Sequence, residues 1–198
     1  MPKIYHIFGG ISEQELDGIV DESEFLTITW KKLLEKMGVE TGRNVSIGKT
    51  TIQNLVNLYN AWKNPDRPID PEIELFIGKY VNIPEDDVML WNKAEKLRES
   101  YKMGIKIGDY TKIGEEVNLG PGVSIGRICE ISERCELDFF STIHDRVFLG
   151  KAVLIGKDSD VESGSRLMDK VVIVPRTVVK KNCFVPEGIV FNENKKYQ

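Results

Sequence analysis

Stepping by six residues from Ile107 meets Ile113, Leu119, Ile125, Ile131, Leu137, Ile143, Leu149, Ile155, Val161, Leu167, Ile173, Val179, Val185 and Phe191. Fifteen successive bulky apolar residues in one register are not accidental in a chain that is 41% hydrophobic. Two residues ahead of each stands a second ladder of small or β-branched residues, from Ile105, Thr111 and Val117 through Cys129, Cys135 and Ser141 to Ile189. A period of six cannot keep one face of a 3.6-residue helix buried, so this half of the chain is not helical. Alternate residues of an extended strand face the same way, so both ladders point into one narrow interior. Glycine follows the aliphatic residue at Gly108, Gly114, Gly120, Gly126, Gly150 and Gly156. The expectation is a tight corner there, with positive φ at the glycine.

This pattern resembles the left-handed β-helix of the hexapeptide-repeat transferase superfamily, over a little under half of the chain. The resemblance implies three hexads per triangular coil, so fifteen hexads imply about five coils. It also implies assembly as a homotrimer, prism packed on prism. Phe139 and Phe140 fall between the ladders and should point outward, as candidates for that interface.

The first hundred residues show no hexad register and read as mostly helical. Ile4 to Phe8 suits a short strand, and Ser12 to Glu15 a capping box. Leu26 to Met37 suits a helix closed by Gly38, and another follows Thr50 with Ile52, Leu55, Val56, Tyr59 and Trp62 on one face. Asp70-Pro71 opens a third, carrying Ile73, Phe76, Ile77 and Tyr80, and Pro84 with Glu85, Asp86 and Asp87 opens the last, to about Tyr101. The expected fold class is α+β. A mostly helical domain over 1–103 caps a left-handed parallel β-helix over 104–198.

A net charge of −4 and a pI near 5.4 argue against nucleic acid as the main partner. Between Leu26 and Pro68, seven Lys or Arg face three acids, a local excess of +4. Two closely spaced helices there resemble a phage-repressor helix-turn-helix, but the spacing does not match a recognition turn, and a solvated helical face accounts for the charge. No apolar run reaches transmembrane length, and no basic stretch leads into an apolar signal region. The expectation is a cytoplasmic protein with no membrane partner. Cys129, Cys135 and Cys183 all lie on the small-residue ladder and read as buried filler.

Gly42 and Gly48 have five residues between them where a P-loop needs four, and Gly9-Gly10 lacks the third glycine of a dinucleotide fingerprint. Hexapeptide-repeat relatives such as γ-class carbonic anhydrases hold zinc with three histidines. This coil carries only His144, so no metal site is expected.

The segment Ser141-Thr142-Ile143-His144-Asp145-Arg146 resembles the His-Asp segment of hexapeptide acyltransferases. The resemblance implies His144 as general base on an acceptor hydroxyl or amine, with Asp145 orienting it or contacting the acceptor. Imidazole suits that task because it titrates near neutrality. In the family the histidine stands two residues after the inward aliphatic; here it stands one after Ile143, and Asp145 takes the usual slot. Arg176, Lys180 and Lys181 are the candidates to meet cofactor phosphates. Two readings follow. One is a homotrimeric acyltransferase moving an acetyl group from acetyl-coenzyme A to a small-molecule acceptor. The other is a non-catalytic trimeric scaffold whose N-terminal domain binds a partner, nucleic acid being the sharp variant.

Overall fold

The computed structural model describes residues 104–192 without interruption and, before them, 34–35, 37–48, 51–52, 55, 75–84 and 89–90. Five strands precede the continuous stretch: β1 (Val39–Thr41), β2 (Ser46–Ile47), β3 (Leu75–Ile77), β4 (Asn82–Ile83) and β5 (Met89–Leu90). Then comes one strand per hexad: β6 (Ile105–Ile107), β7 (Lys112–Ile113), β8 (Asn118–Leu119), β9 (Ser124–Ile125), β10 (Glu130–Ile131) and β11 (Glu136–Leu137). They continue as β12 (Thr142–Ile143), β13 (Phe148–Leu149), β14 (Leu154–Ile155), β15 (Asp160–Val161) and β16 (Arg166–Leu167). The last are β17 (Val172–Ile173), β18 (Val178–Val179), β19 (Phe184–Val185) and β20 (Val190–Phe191).

All pairing is parallel, and from β3 to β17 each strand pairs with the third one after it. Ile143 lies opposite Ile125 on one side and Val161 on the other. Three sheets result: β1-β3-β6-β9-β12-β15-β18, then β2-β4-β7-β10-β13-β16-β19, then β5-β8-β11-β14-β17-β20. The protein is a three-sided parallel β-solenoid, with five coils from Ile105 to Phe191. Both ladders face the interior. Ile125, Ile155 and Ile173 are buried, as are Val123, Cys129, Cys135, Val153 and Val171. Glu116, Arg134 and Lys157 between them are exposed.

Three sequence expectations need correction. The first concerns the glycines. Positive φ falls three residues after the inward aliphatic, at Tyr110, Glu116, Ile128, Arg134, Phe140, Arg146 and onward to Asn182, and not at Gly108 or Gly126. The glycine next to the aliphatic is required for a different reason. A Cβ on Gly126 would stand 2.7 Å from the Asp145 backbone nitrogen, and one on Gly108 would stand 2.6 Å from the Gly126 carbonyl carbon.

The second correction concerns the mostly helical N-terminal domain, which the described residues do not support. Helical backbone is confined to Leu34, Glu35, Thr51, Ile52 and Leu55 among them. Of the helix expected from Asp70 through Tyr80, the described residues 75–80 are instead β3 and a corner. Leu75 and Ile77 are buried, Phe76 faces out, and Tyr80 is left-handed at φ 56°. The reason is tertiary: Leu75–Ile77 pairs residue for residue with Ile105–Ile107. An available parallel strand edge overrides the helical spacing of Ile73, Phe76, Ile77 and Tyr80.

The third concerns the helix expected after Pro84. Met89–Leu90 pairs with Asn118–Leu119 as a strand. The solenoid sheets therefore begin at Val39, well before Gly104, and compactness divides the chain into 1–36 and 37–198. The expected strand at Ile4, the capping box at Ser12 and most of the remaining helical spans lie outside the described residues.

Candidate functional site

His144 is the one histidine among the described residues, and it stands directly after β12 at the corner between the first and second sheets. In stacking order along that corner, the residue after each first-sheet strand is Gly42, Gly78, Gly108, Gly126, His144, Glu162 and Lys180. The run of glycines ends at the imidazole. Its backbone is held from two sides. The amide of His144 donates to the Val161 carbonyl at 2.9 Å, and the Cys129 thiol donates to the His144 carbonyl at 3.0 Å. The side chain is 45% exposed, with Nε2 2.8 Å from Asp160 Oδ1. That oxygen is shielded from solvent and has no hydrogen-bond partner, so its approach to the imidazole is a contact of proximity and not an aligned hydrogen bond.

Asp145 follows at the corner but is already engaged. Its Oδ1 accepts from the Arg127 amide at 2.8 Å, and its Oδ2 accepts from Arg127 Nη2 at 2.8 Å. These side-chain and backbone hydrogen bonds from Arg127 hold its carboxyl below the usual aspartate range. The bond to the amide recurs along the coil. Asp109 takes the Lys79 amide at 2.7 Å, and Asp169 takes the Lys151 amide at 2.8 Å. All three aspartates stand two residues after the inward aliphatic. The slot belongs to the repeat, where the carboxylate staples one coil to the next.

A shallow depression beside this corner is lined by Asp109, Tyr110, Arg127, Ile128, Asp145 and Arg146. Below it the Tyr80 and Tyr110 rings stack at 4.9 Å, both exposed.

The three basic candidates do not form one cluster. Lys180 and Lys181 follow β18, on the same corner as His144, whereas Arg176 lies at the other end of β18. With parallel strands about 4.8 Å apart, Lys180 sits about 10 Å along the solenoid from His144. Between them is Glu162, whose Oε1 is 3.5 Å from Lys180 Nζ and whose Oε2 accepts from the Lys181 amide at 2.8 Å. That amide, with the Lys180 ammonium, holds the Glu162 carboxyl below its ordinary range. Arg176 Nε lies 4.0 Å from Asp158 Oδ2. Among the described residues no three of His, Cys, Asp or Glu converge to hold a metal ion. None of their helices is long and apolar enough to cross a membrane.

Sequence reasoning singled out His144 and did not foresee the Asp160 carboxylate beside it. The signal was present: eighteen residues per coil place Asp160 beside Thr142, two residues before the histidine.

No family model matches this chain, and no curated protein does. Solved structures with similarity include a mutant of perosamine N-acetyltransferase from Caulobacter crescentus in complex with CoA and GDP-perosamine. It is 12% identical with a TM-score of 0.40, over 82% of this chain and 58% of that one. Another is a putative acetyltransferase from Bacillus cereus, 18% identical with a TM-score of 0.20, over 58% of this chain and 76% of that one. The chain thus spans little more than half the length of the perosamine enzyme. What defines this molecule is its own architecture, a hexapeptide-repeat parallel β-solenoid.

Proposed function

We propose that this chain is a left-handed hexapeptide-repeat acyltransferase that works as a homotrimer and moves an acetyl group from acetyl-coenzyme A to a hydroxyl or amine of a small acceptor. The observation that carries the reading is His144: an accessible imidazole at the end of β12, next in sequence to Asp145, which lines the depression. In this reading His144 is the general base on the acceptor. Asp145 is fixed by Arg127 and still has lone-pair capacity for a hydrogen bond from that acceptor. Lys180, Lys181 and Arg176 are the groups for the phosphates of the donor, as point charges and a planar fork.

Two measurements test it. A thermal-shift screen against coenzyme A thioesters should raise the melting temperature, because a ligand that binds only the folded chain stabilises it by mass action. His144→Ala should lower acyl transfer about a hundredfold or more, the range for losing a positioned base, and leave the melting temperature nearly unchanged. The scaffold reading gains support from the exposed Tyr80, Tyr110 and Ile128 ridge. It requires no coenzyme A binding and a His144→Ala protein that behaves as the parent does.

A further inference from the structure

The third residue of each corner is left-handed, a conformation least favourable for branched or bulky side chains and easiest for glycine and asparagine. Along the corner that carries the depression, this slot holds Asn44, Tyr80, Tyr110, Ile128, Arg146, Gly164 and Asn182. At the other two corners, among the described residues, it holds glycine, alanine or a charged residue, Phe140 excepted. Three successive rungs therefore carry the wrong residue for their backbone. Tyr80, Tyr110 and Ile128 also leave 43%, 56% and 59% of their surface exposed. Beyond the stack of the two tyrosine rings the coil gains no burial from them, so their use lies outside the fold. We infer that this ridge and the depression beside it form a saccharide-binding site.

The chemistry of the lining selects the ligand. Asp109, Tyr110, Arg127, Ile128, Asp145 and Arg146 surround about 260 Å³. Pockets for drug-sized ligands run from about 300 to 1,000 Å³, so this one suits a single sugar ring. Its two carboxylates and two guanidiniums cancel in charge. A phosphate group would meet both acids, and a cation both arginines. A neutral ligand rich in hydroxyls, each both donor and acceptor, can use all four. Spare capacity is present and rigidly placed. Asp109 Oδ1 accepts from the Lys79 amide at 2.7 Å, which leaves Oδ2 without a donor among the described residues. Arg146, its own amide donating to the Arg127 carbonyl at 2.9 Å, makes no ion pair among them. The Tyr110 ring is already held on Tyr80 at 4.9 Å, so it loses little freedom when the C–H face of a sugar lies against the ridge.

Binding stands by itself, whereas a role for the saccharide as acceptor rests on the acyl-transfer reading. In that role a sugar oxygen bonds to the thioester carbon, the carbon–sulfur bond breaks, and the hydroxyl proton ends on the released thiol of coenzyme A. The proposed homotrimer brings a neighbouring copy to this corner, so the depression would lie along the seam. The full-length protein is therefore tested in whatever assembly it forms.

The test is saturation-transfer NMR with the methyl pyranosides of glucose, galactose, mannose and N-acetylglucosamine, each at up to about 50 mM to cover weak millimolar binding. At least one should receive saturation at its ring C–H protons. Tyr110→Asn and Ile128→Asn install the residue that fills the same slot at Asn44 and Asn182. Each should weaken binding about tenfold or more while leaving Tm equal to the parent's or higher, because the left-handed backbone is relieved. A residue kept for packing would behave in the opposite way, so a Tm several degrees lower in Ile128→Asn overturns the inference. So does saturation of none of the four probes, or binding unchanged in both variants. A pyranoside bound by a protein that transfers no acyl group upholds the site and removes the acyltransferase reading. Acyl transfer to another acceptor, with no pyranoside bound, does the reverse.

Discussion

Thr111, Cys129, Cys135, Ser159 and Ser165 each donate to the carbonyl of the residue fifteen positions on, at 2.8 to 3.0 Å. The acceptors are the carbonyls of Gly126, His144 and Lys180 along one corner, and of Gly150 and Val174 on the other two. This is how these five positions accommodate a hydroxyl or thiol, since a buried O–H or S–H costs little when a fixed acceptor waits for it; Ser141, buried on the same ladder, has no such partner. The cysteines were legible as buried from their register, but their donor role was not, because it depends on where a corner carbonyl points. Burial pushes the Cys135 thiol up to about 11 and raises Cys129 in the same direction. Neither holds an appreciable thiolate near neutrality, and thiolate is the reactive form. Treatment of the folded protein with iodoacetamide at pH 8 should therefore spare Cys129 and Cys135. Cys183, half-buried on the last coil, should react first. Intact-mass spectrometry before and after denaturation reads this directly; rapid modification of all three in the folded state would contradict the buried assignment.

At the scale of the strand, the same rule that made β6 to β20 legible also ran through part of the first hundred residues, which read as having no hexad register. Thr41, Ile47, Ile77 and Ile83 precede Ile107 by 66, 60, 30 and 24 residues, all multiples of six. Each has a small or branched partner two residues earlier, at Val39, Val45, Leu75 and Val81, and Gly42, Gly48 and Gly78 follow three of them. The signal was hidden because only two hexads stand together before each interruption, too few to outweigh a competing helical spacing. What decides the matter is a neighbouring edge: a two-residue strand is not stable alone, but it pairs readily onto a coil already formed. The inner aliphatics carry that pairing, since each fills the interior at its level. Ile155→Asp should cost about 3 kcal/mol or more, because nothing in an apolar interior compensates a carboxylate. Ile155 is 1% exposed, between Leu137 and Ile173 on adjacent rungs. A chemical-denaturation curve matching the parent would show that the interior is not the closed stack described above.

For the whole molecule, the solenoid explains why the candidate base was readable and the carboxylate beside it was not. His144 announced itself by residue type and neighbours, whereas Asp160 joins it only through the eighteen-residue coil, a relation between strands and not along one. The proposed trimer depends on the same geometry. Phe140 is left-handed at φ 57° and 42% exposed, its ring covering Gly122, while Phe139 beside it is half-buried. They stand at the corner on one side of the first sheet, with Tyr110, Ile128 and Arg146 at the corner on the other side. In a threefold ring of prisms two different surfaces of each copy must meet, and these corners offer an apolar ring on one side and a ridge with a guanidinium on the other. An aromatic face against arginine is a favourable contact, and the flanking apolar groups would leave water together. Light scattering at micromolar concentration should therefore give three times the 22.5 kDa chain mass, about 67 kDa. Phe140→Glu should shift the mass to one chain and leave the solenoid folded, since the ring lies outside the ladders. A parent protein that scatters as a single chain would remove the trimer, and any site shared between copies would go with it.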